Sequence, residues 1–206
     1  MSSPSKRKLD RIRVTVLGAA NSGKTALIVR YLTKRFIGEY ERNKEYTYRQ
    51  RLLIEDELVN MEILDTIFCE QENEELSLQT SCFKWADGII LLYNITDRRS
   101  FYQIPKIQDA ILRYRGKNQV PPSIILVGNK TDFASESRQV GYDEAHKLAL
   151  TYGIPFYEIS VRESYEQVDL CFKVLISELR TNLTKKKNSR WPSFKSLRKR
   201  SVSYPE

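Results

Sequence analysis

Apolar and polar positions alternate between short unbroken apolar runs and longer stripes at helical spacing. Ile12–Leu17 is apolar and β-branched, and Gly88–Tyr93 and Ser123–Gly128 are nearly continuous apolar runs of strand length. Such runs suit strands buried on both faces. Tyr46–Glu55 and Leu58–Leu64 flank a short acidic turn and read as a hairpin, and Pro155–Ile159 reads as one more short strand. Between them, helical patterns fall at Lys24–Lys34, Glu75–Trp85, Ser100–Arg115, Tyr142–Tyr152 and Glu166–Leu183. Alternating strands and helices predict an α/β fold with a mostly parallel six-stranded sheet flanked by helices. No internal repeat is visible, and no apolar run reaches the length of a membrane span.

Ligands of such sheets bind at the carboxyl ends of the strands, and two motifs stand there. Gly18-Ala19-Ala20-Asn21-Ser22-Gly23-Lys24-Thr25 fits G-x-x-x-x-G-K-[ST] between the first strand and a helix, the context that a phosphate-binding loop requires. Gly23 lets the backbone approach a phosphate chain, and successive N–H groups and the helix N-terminus, with Ala26 in its first turn, face negative charge. Lys24 adds a cation at the β- and γ-phosphates, which makes it a catalytic candidate as well, and Thr25 offers a hydroxyl to Mg²⁺.

The second motif, Gly128-Asn129-Lys130-Thr131-Asp132, follows the Ser123 run. A carboxylate at Asp132 can accept from guanine N1–H and the exocyclic amine together, a donor pair that adenine lacks. Asn129 can hold the loop and reach the purine edge, and the aliphatic stem of Lys130 can cover the ring face. Alone the pattern would pass for a polar turn. After a phosphate loop, at the end of a strand, it selects guanine and disfavours an ATPase or kinase.

Length and charge refine this picture. The 206 residues suit one domain with tails, and the net charge of +8 is uneven. Residues 1–13 carry +4 and residues 185–206 carry +7, which leaves −3 for residues 14–184. The division expected is a basic N-terminal extension (1–11), a nucleotide-binding domain (12–184) and a basic tail (185–206). A −3 middle argues against a basic groove and so against primary nucleic-acid binding. The first residues lack the apolar stretch of a secretory signal. Cys69, Cys82 and Cys171 are odd in number and scattered, as expected of reduced thiols in the cytosol or nucleus. The lone His146 reads as a surface residue of a helix.

Together these residues resemble a Ras-type small GTPase of the P-loop NTPase class. The resemblance covers roughly 12–183 and rests on GAANSGKT, LDT at 64–66, WADGIILLYNITDRRSF at 85–101, GNKTD at 128–132 and EIS at 158–160. The run Tyr31–Tyr40 and the missing lipid signal are similar to the Ras-related, estrogen-regulated growth-inhibitor branch. The resemblance implies a monomeric GTP/GDP-binding protein of signal transduction with Mg²⁺ as cofactor. It implies that Phe36 packs against the guanine edge, and that Asp65, beside Thr66, holds Mg²⁺ through water. Ser160, Val161 and Arg162 would form the loop that presents backbone N–H to guanine O6. The family usually has Ala-Lys for Val161-Arg162; backbone contact survives that change, although the larger valine can crowd the base. Phe36 can also be read as core, and Ser160 as a cap. Effector proteins would dock on residues 36–50 and 65–80.

Departures from the family pattern are informative. Asn43 stands where a threonine usually meets Mg²⁺ and the γ-phosphate. Phe68 replaces a glycine whose N–H reaches that phosphate. Cys69 replaces the glutamine that orients the attacking water, and a thiol is a weak hydrogen-bonding substitute. Ala20 replaces a glycine where an activator's arginine would enter. Phosphoryl transfer depends on positioning and charge stabilisation, so these changes predict slow hydrolysis with binding retained. Glu70, Glu72, Glu74 or Glu75 can position water instead, which leaves the assignment as an enzyme open. The alternative is a non-cycling GTP-binding interaction module.

The tail joins Lys185–Lys187, Arg190 and Arg198–Arg200 with Trp191, Phe194 and Leu197. Its last residues, Ser203-Tyr-Pro-Glu206, are no prenylation signal, so no lipid anchor is expected. A solvated tail is one reading. Among functional readings, an import receptor ranks first, with a nuclear or nucleolar pool beside the cytoplasmic one. Contact of residues 185–200 with an anionic membrane surface ranks second.

Overall fold

The computed structural model describes residues 11–38, 44–54, 57–67, 76–114 and 121–188, with the backbone alone for 76–80, 114 and 184–188. Six strands form one sheet: β1 (Arg11–Leu17), β2 (Tyr46–Ile54), β3 (Glu57–Asp65), β4 (Gly88–Asn94), β5 (Ser123–Asn129) and β6 (Phe156–Ile159), in the order β2-β3-β1-β4-β5-β6. Only β2 and β3 pair antiparallel. The other pairings are parallel and need crossovers. The helices are α1 (Lys24–Thr33), α2 (Leu76–Trp85), α3 (Arg98–Tyr114), the short α4 (Ala134–Ser137), α5 (Tyr142–Tyr152) and α6 (Tyr165–Asn188).

The apolar runs split residue by residue between two cores. Ile90 and Leu92 of β4 join Ile125 and Val127 of β5 under α1 and α6, in one cluster with Leu27, Phe172 and Leu175. Ile89, Leu91 and Tyr93 face the other way, onto Phe83 of α2, Ile104 and Ile107 of α3 and Ala145 of α5. Period-two alternation inside an all-apolar strand is what two covered faces require. Tyr31 of α1 stacks on Phe172 of α6 with ring centroids 3.7 Å apart, tying one helical layer together.

Element ends differ from the sequence reading where side chains cap them. Asp97 accepts the Arg99 N–H at 3.0 Å, so α3 starts two residues before the expected Ser100. Pro105 interrupts its hydrogen bonding, yet Phe101, Ile104, Ile107 and Ile111 keep a buried stripe and the helix continues. The turn Thr131–Phe133 and α4 after the base motif were not expected. α6 runs on to Asn188, past the expected Leu183. No helix among the described residues is long and apolar enough to cross a membrane.

Candidate functional site

The loop after β1 is shaped by two other strands. Gly18 has φ +154°, and a Cβ there would overlap the Leu92 carbonyl of β4. Gly23 has φ +101°, and its Cβ would run into the Asn129 side-chain amide at the end of β5. The two motif glycines are thus demanded by the neighbours of the loop as much as by any ligand. Asn21 takes the left-handed conformation (φ 60°), which asparagine tolerates better than most residues. Ala19 and Ser22 are buried, whereas Ala20 and Asn21 are exposed at the lip.

Lys24 opens α1 and is buried. Its ammonium donates to the Gly18 and Ala19 carbonyls at 3.0 and 3.1 Å, so the cation lies along the loop. Burial pushes its pKa below the usual lysine range, and nearby Asp65 pulls it back up. An arriving phosphate would act in the same direction as Asp65. The Thr25 hydroxyl donates to Asp65 Oδ2 at 2.6 Å. Asp65 ends β3 and is buried, which raises its carboxyl above the usual range. The Thr25 bond and Lys24 counter that shift, and Glu45 adds to it. Thr66 turns its hydroxyl inward to the Val16 carbonyl, 2.8 Å away, so it fastens the β3 end to β1.

The second loop is bonded to the first. Asn129 Nδ2 donates to the Ser22 carbonyl at 2.9 Å, and its Oδ1 accepts the N–H of Lys130 (2.7 Å) and of Val161 (3.2 Å). Lys130 has φ 72°, which swings the chain into the turn carrying Asp132. Ser160 Oγ donates to Asp132 Oδ1 at 2.9 Å and accepts the Glu163 N–H at 3.1 Å, so one hydroxyl both orients the carboxylate and caps its own loop. The Ser160 N–H is in turn held by the Gln167 side chain at 3.0 Å. Among the described residues, the other Asp132 oxygen accepts no hydrogen bond. An acceptor aimed this way, above an amide bonded to a phosphate-type loop, suits a purine carrying adjacent N–H donors.

A family model for the Ras family matches residues 13–181. The chain belongs to the Ras family. It is 39% identical to the Ras-related and estrogen-regulated growth inhibitor-like protein of Bos taurus, over 93% of this chain and 94% of that protein. It is 38% identical to the Ras-related and estrogen-regulated growth inhibitor of Homo sapiens, over 84% of this chain and 83% of the relative. With Ras-like protein family member 11B of Mus musculus it shares 36% identity, over 82% of this chain and 68% of the relative.

The Ras-family residues expected from sequence are brought together in the two bonded loops, from Gly18 through Ala26, at Asp65 and Thr66, at Asn129, Lys130 and Asp132, and at Ser160 and Val161. Phe36 is not brought in. It is 40% exposed in the segment after α1, so it is not core either, and among the described residues no ring contact ties it to the site. Val161 does not crowd the base as expected: its side chain is buried in the core with Val168 and Phe172, and only its backbone faces Asn129. Arg162 is exposed. Asn43, Phe68, Cys69 and Glu70–Glu75 lie outside the described residues, as does the tail beyond 188.

Sequence reading missed Gln167 and the Leu92 carbonyl. Ser164-Tyr-Glu-Gln167 has capping-box spacing, and Ser164 Oγ does accept the Gln167 N–H at 3.2 Å. The glutamine side chain, however, reaches back to Ser160, and that detour has no sequence signature.

Mg²⁺ fits the residues present. The Thr25 hydroxyl and the Asp65 carboxylate are hard oxygens already in contact, at the end of the phosphate-type loop. They would hold the ion directly and through water, and the ion would neutralise phosphate charge there.

Proposed function

We propose that the chain is a Mg²⁺-assisted GTP/GDP-binding protein of intracellular signalling with slow intrinsic hydrolysis. The Asn129–Ser22 bond at 2.9 Å carries this reading, because it fixes the separation of the base loop from the phosphate loop. Ras-family GTPases bind guanine nucleotides. Lys24 and the loop N–H groups hold the phosphates, Asp132 reads the guanine edge, and Ser160 aims Asp132. Slow hydrolysis follows from chemistry: the Cys69 thiol orients water poorly, Phe68 stiffens the backbone that would reach the γ-phosphate, and Ala20 crowds an entering arginine. Asn43 in the first switch offers an amide oxygen in place of a hydroxyl.

Those four substitutions also support a second reading, a non-cycling module whose effector surface (residues 36–50 and 65–80) is displayed constantly. One measurement separates the two: identify the nucleotide released from the freshly purified chain, then follow a single turnover of bound GTP. Retained GTP with phosphate release over hours favours the module, and bound GDP favours the cycling switch. No preference for guanosine over adenosine phosphates with magnesium present would remove both. The division into basic extension, nucleotide-binding domain and basic tail remains part of this proposal. So do a cytoplasmic location with a nuclear pool, and membrane or import-receptor contact through 185–200. Imaging a chain lacking 185–206 tests the tail, since an unchanged distribution discards its targeting role.

A further inference from the structure

Among the described residues, the sheet face beside α2 is open, and its charges repeat in two rows across three strands. In the upper row, Arg13 of β1, Glu62 of β3 and Arg49 of β2 are in register. Glu62 sits between the two guanidinium groups, 3.6 Å from Arg13 and 3.3 Å from Arg49. The next row, two residues along, is Arg11, Asn60 and Arg51. All three are exposed, and among the described residues neither arginine has an ion pair. The second row therefore matches the first except that an amide stands where the carboxylate would be. One step further, Leu53 and Leu58 pair across the strands at 67% and 51% exposure.

The geometry points to a docking surface for an extended, acidic segment of a partner protein, with one carboxylate seated over Asn60 between Arg11 and Arg51. Neighbouring strands lie about 4.8 Å apart, so the two arginine Cα atoms stand roughly 10 Å apart across Asn60. That is the spacing that Glu62 already bridges one row away. Arginine, with its planar fork, is the cation suited to a shared carboxylate. In an extended segment, a side chain two residues on lies about 6.8 Å away on the same face. That distance carries a large apolar side chain onto Leu53 and Leu58. The partner pattern is an acidic residue, any residue, then an apolar one. An anionic lipid surface fits less well, because Glu62 occupies the middle of the upper row and only two leucines are offered for insertion. The seat itself, at Arg11, Asn60, Arg51, Leu53 and Leu58, lies outside residues 36–50 and 65–80, whereas Arg49 of the upper row falls within them.

The test uses the full chain and a fluorescein-labelled peptide of alternating glutamate and leucine, read by fluorescence anisotropy. The double variant Arg11→Ser, Arg51→Ser is expected to bind at least tenfold more weakly. Arg49→Ser should lose less, because that group already serves Glu62. Asn60→Glu places a carboxylate of the chain's own between Arg11 and Arg51, so it should also weaken the peptide at least tenfold while its melting temperature holds or rises. That variant keeps the question answerable if the double variant folds poorly. Peptide binding that is absent, or indifferent to Arg11, Arg51 and Asn60, overturns the inference. Binding of phosphatidylserine vesicles that depends on these residues while peptide binding does not also overturns it, as does self-association in sedimentation that Asn60→Glu abolishes.

Discussion

On the β5 side of β1, the loops that follow the strands are joined to each other by buried side chains. Asn129 alone spans Ser22, Lys130 and Val161, and Ser160 and Gln167 extend the chain of bonds to Asp132. On the β3 side, the same sheet ends in a hairpin whose outer strand is mostly exposed, with arginines and leucines on its open face. The first region carries both family motifs, Gly18–Thr25 and Asn129–Asp132. The second borders the segments where the chain departs from the family, at Asn43 and at Phe68–Cys69. A buried hydrogen-bonded network tolerates little change, because each orphaned group costs its full desolvation. An exposed strand has few such debts and is open to new side chains. The contrast is between a tightly bonded motif region and an open outward face.

The largest effect is expected at the hub of the bonded side. Asn129→Leu removes three hydrogen bonds and leaves the Ser22 carbonyl and two N–H groups without partners. At about 1–3 kcal/mol per orphaned buried group, the loss should reach roughly 3–5 kcal/mol. At about 2–4 °C per kcal/mol, calorimetry would find the melting temperature at least roughly 6 °C lower. Guanine-nucleotide binding should vanish with it. A variant that melts like the parent would show that the two loops are held by something other than this residue.

Ser160→Ala is gentler and more selective. It removes the hydrogen bond that aims Asp132 and the loop cap at Glu163. The expected loss of guanine affinity is about 1–2 kcal/mol, or roughly 5- to 30-fold, by titration with a fluorescent GDP analogue. Phosphate contacts are untouched, so inosine phosphates, which lack the exocyclic amine, should gain on guanosine phosphates. An equal loss for both nucleosides would mean that the hydroxyl acts as a cap alone.

How far the sequence carried differs between the same two regions. The strand order, the phosphate loop and the base motif were legible because each rests on local pattern: apolar runs, glycine spacing, and turn residues at strand ends. The motif spacing ties Gly23 to close approach of phosphate, but its close neighbour in the structure is Asn129, more than a hundred residues away in the chain. The inward turn of Val161 was not legible, since a lone valine after a strand carries no sign of which way it packs. Nor was the arginine pairing around Glu62 and Asn60. Arg11, Arg13, Arg49 and Arg51 are ordinary alternating strand residues until register sets β1 and β2 on either side of β3.

The smallest stability effect is expected on the open face, where it separates folding from contact. Leu53 and Leu58 are 67% and 51% exposed and pair with each other across the hairpin. A cross-strand pair of this kind contributes roughly 0.2–1 kcal/mol. Leu53→Ser should therefore cost less than about 1 kcal/mol, a shift of no more than about 2–4 °C. Binding of the glutamate–leucine peptide should nonetheless fall several-fold, because the apolar half of its footprint is gone while Arg11 and Arg51 remain. The two readouts should move apart here, whereas Asn129→Leu moves stability and ligand binding together. If Leu53→Ser instead lowers stability by 3 kcal/mol or more and leaves the peptide unaffected, the hairpin face is part of the core's support, and the contrast between the two sides of the sheet fails.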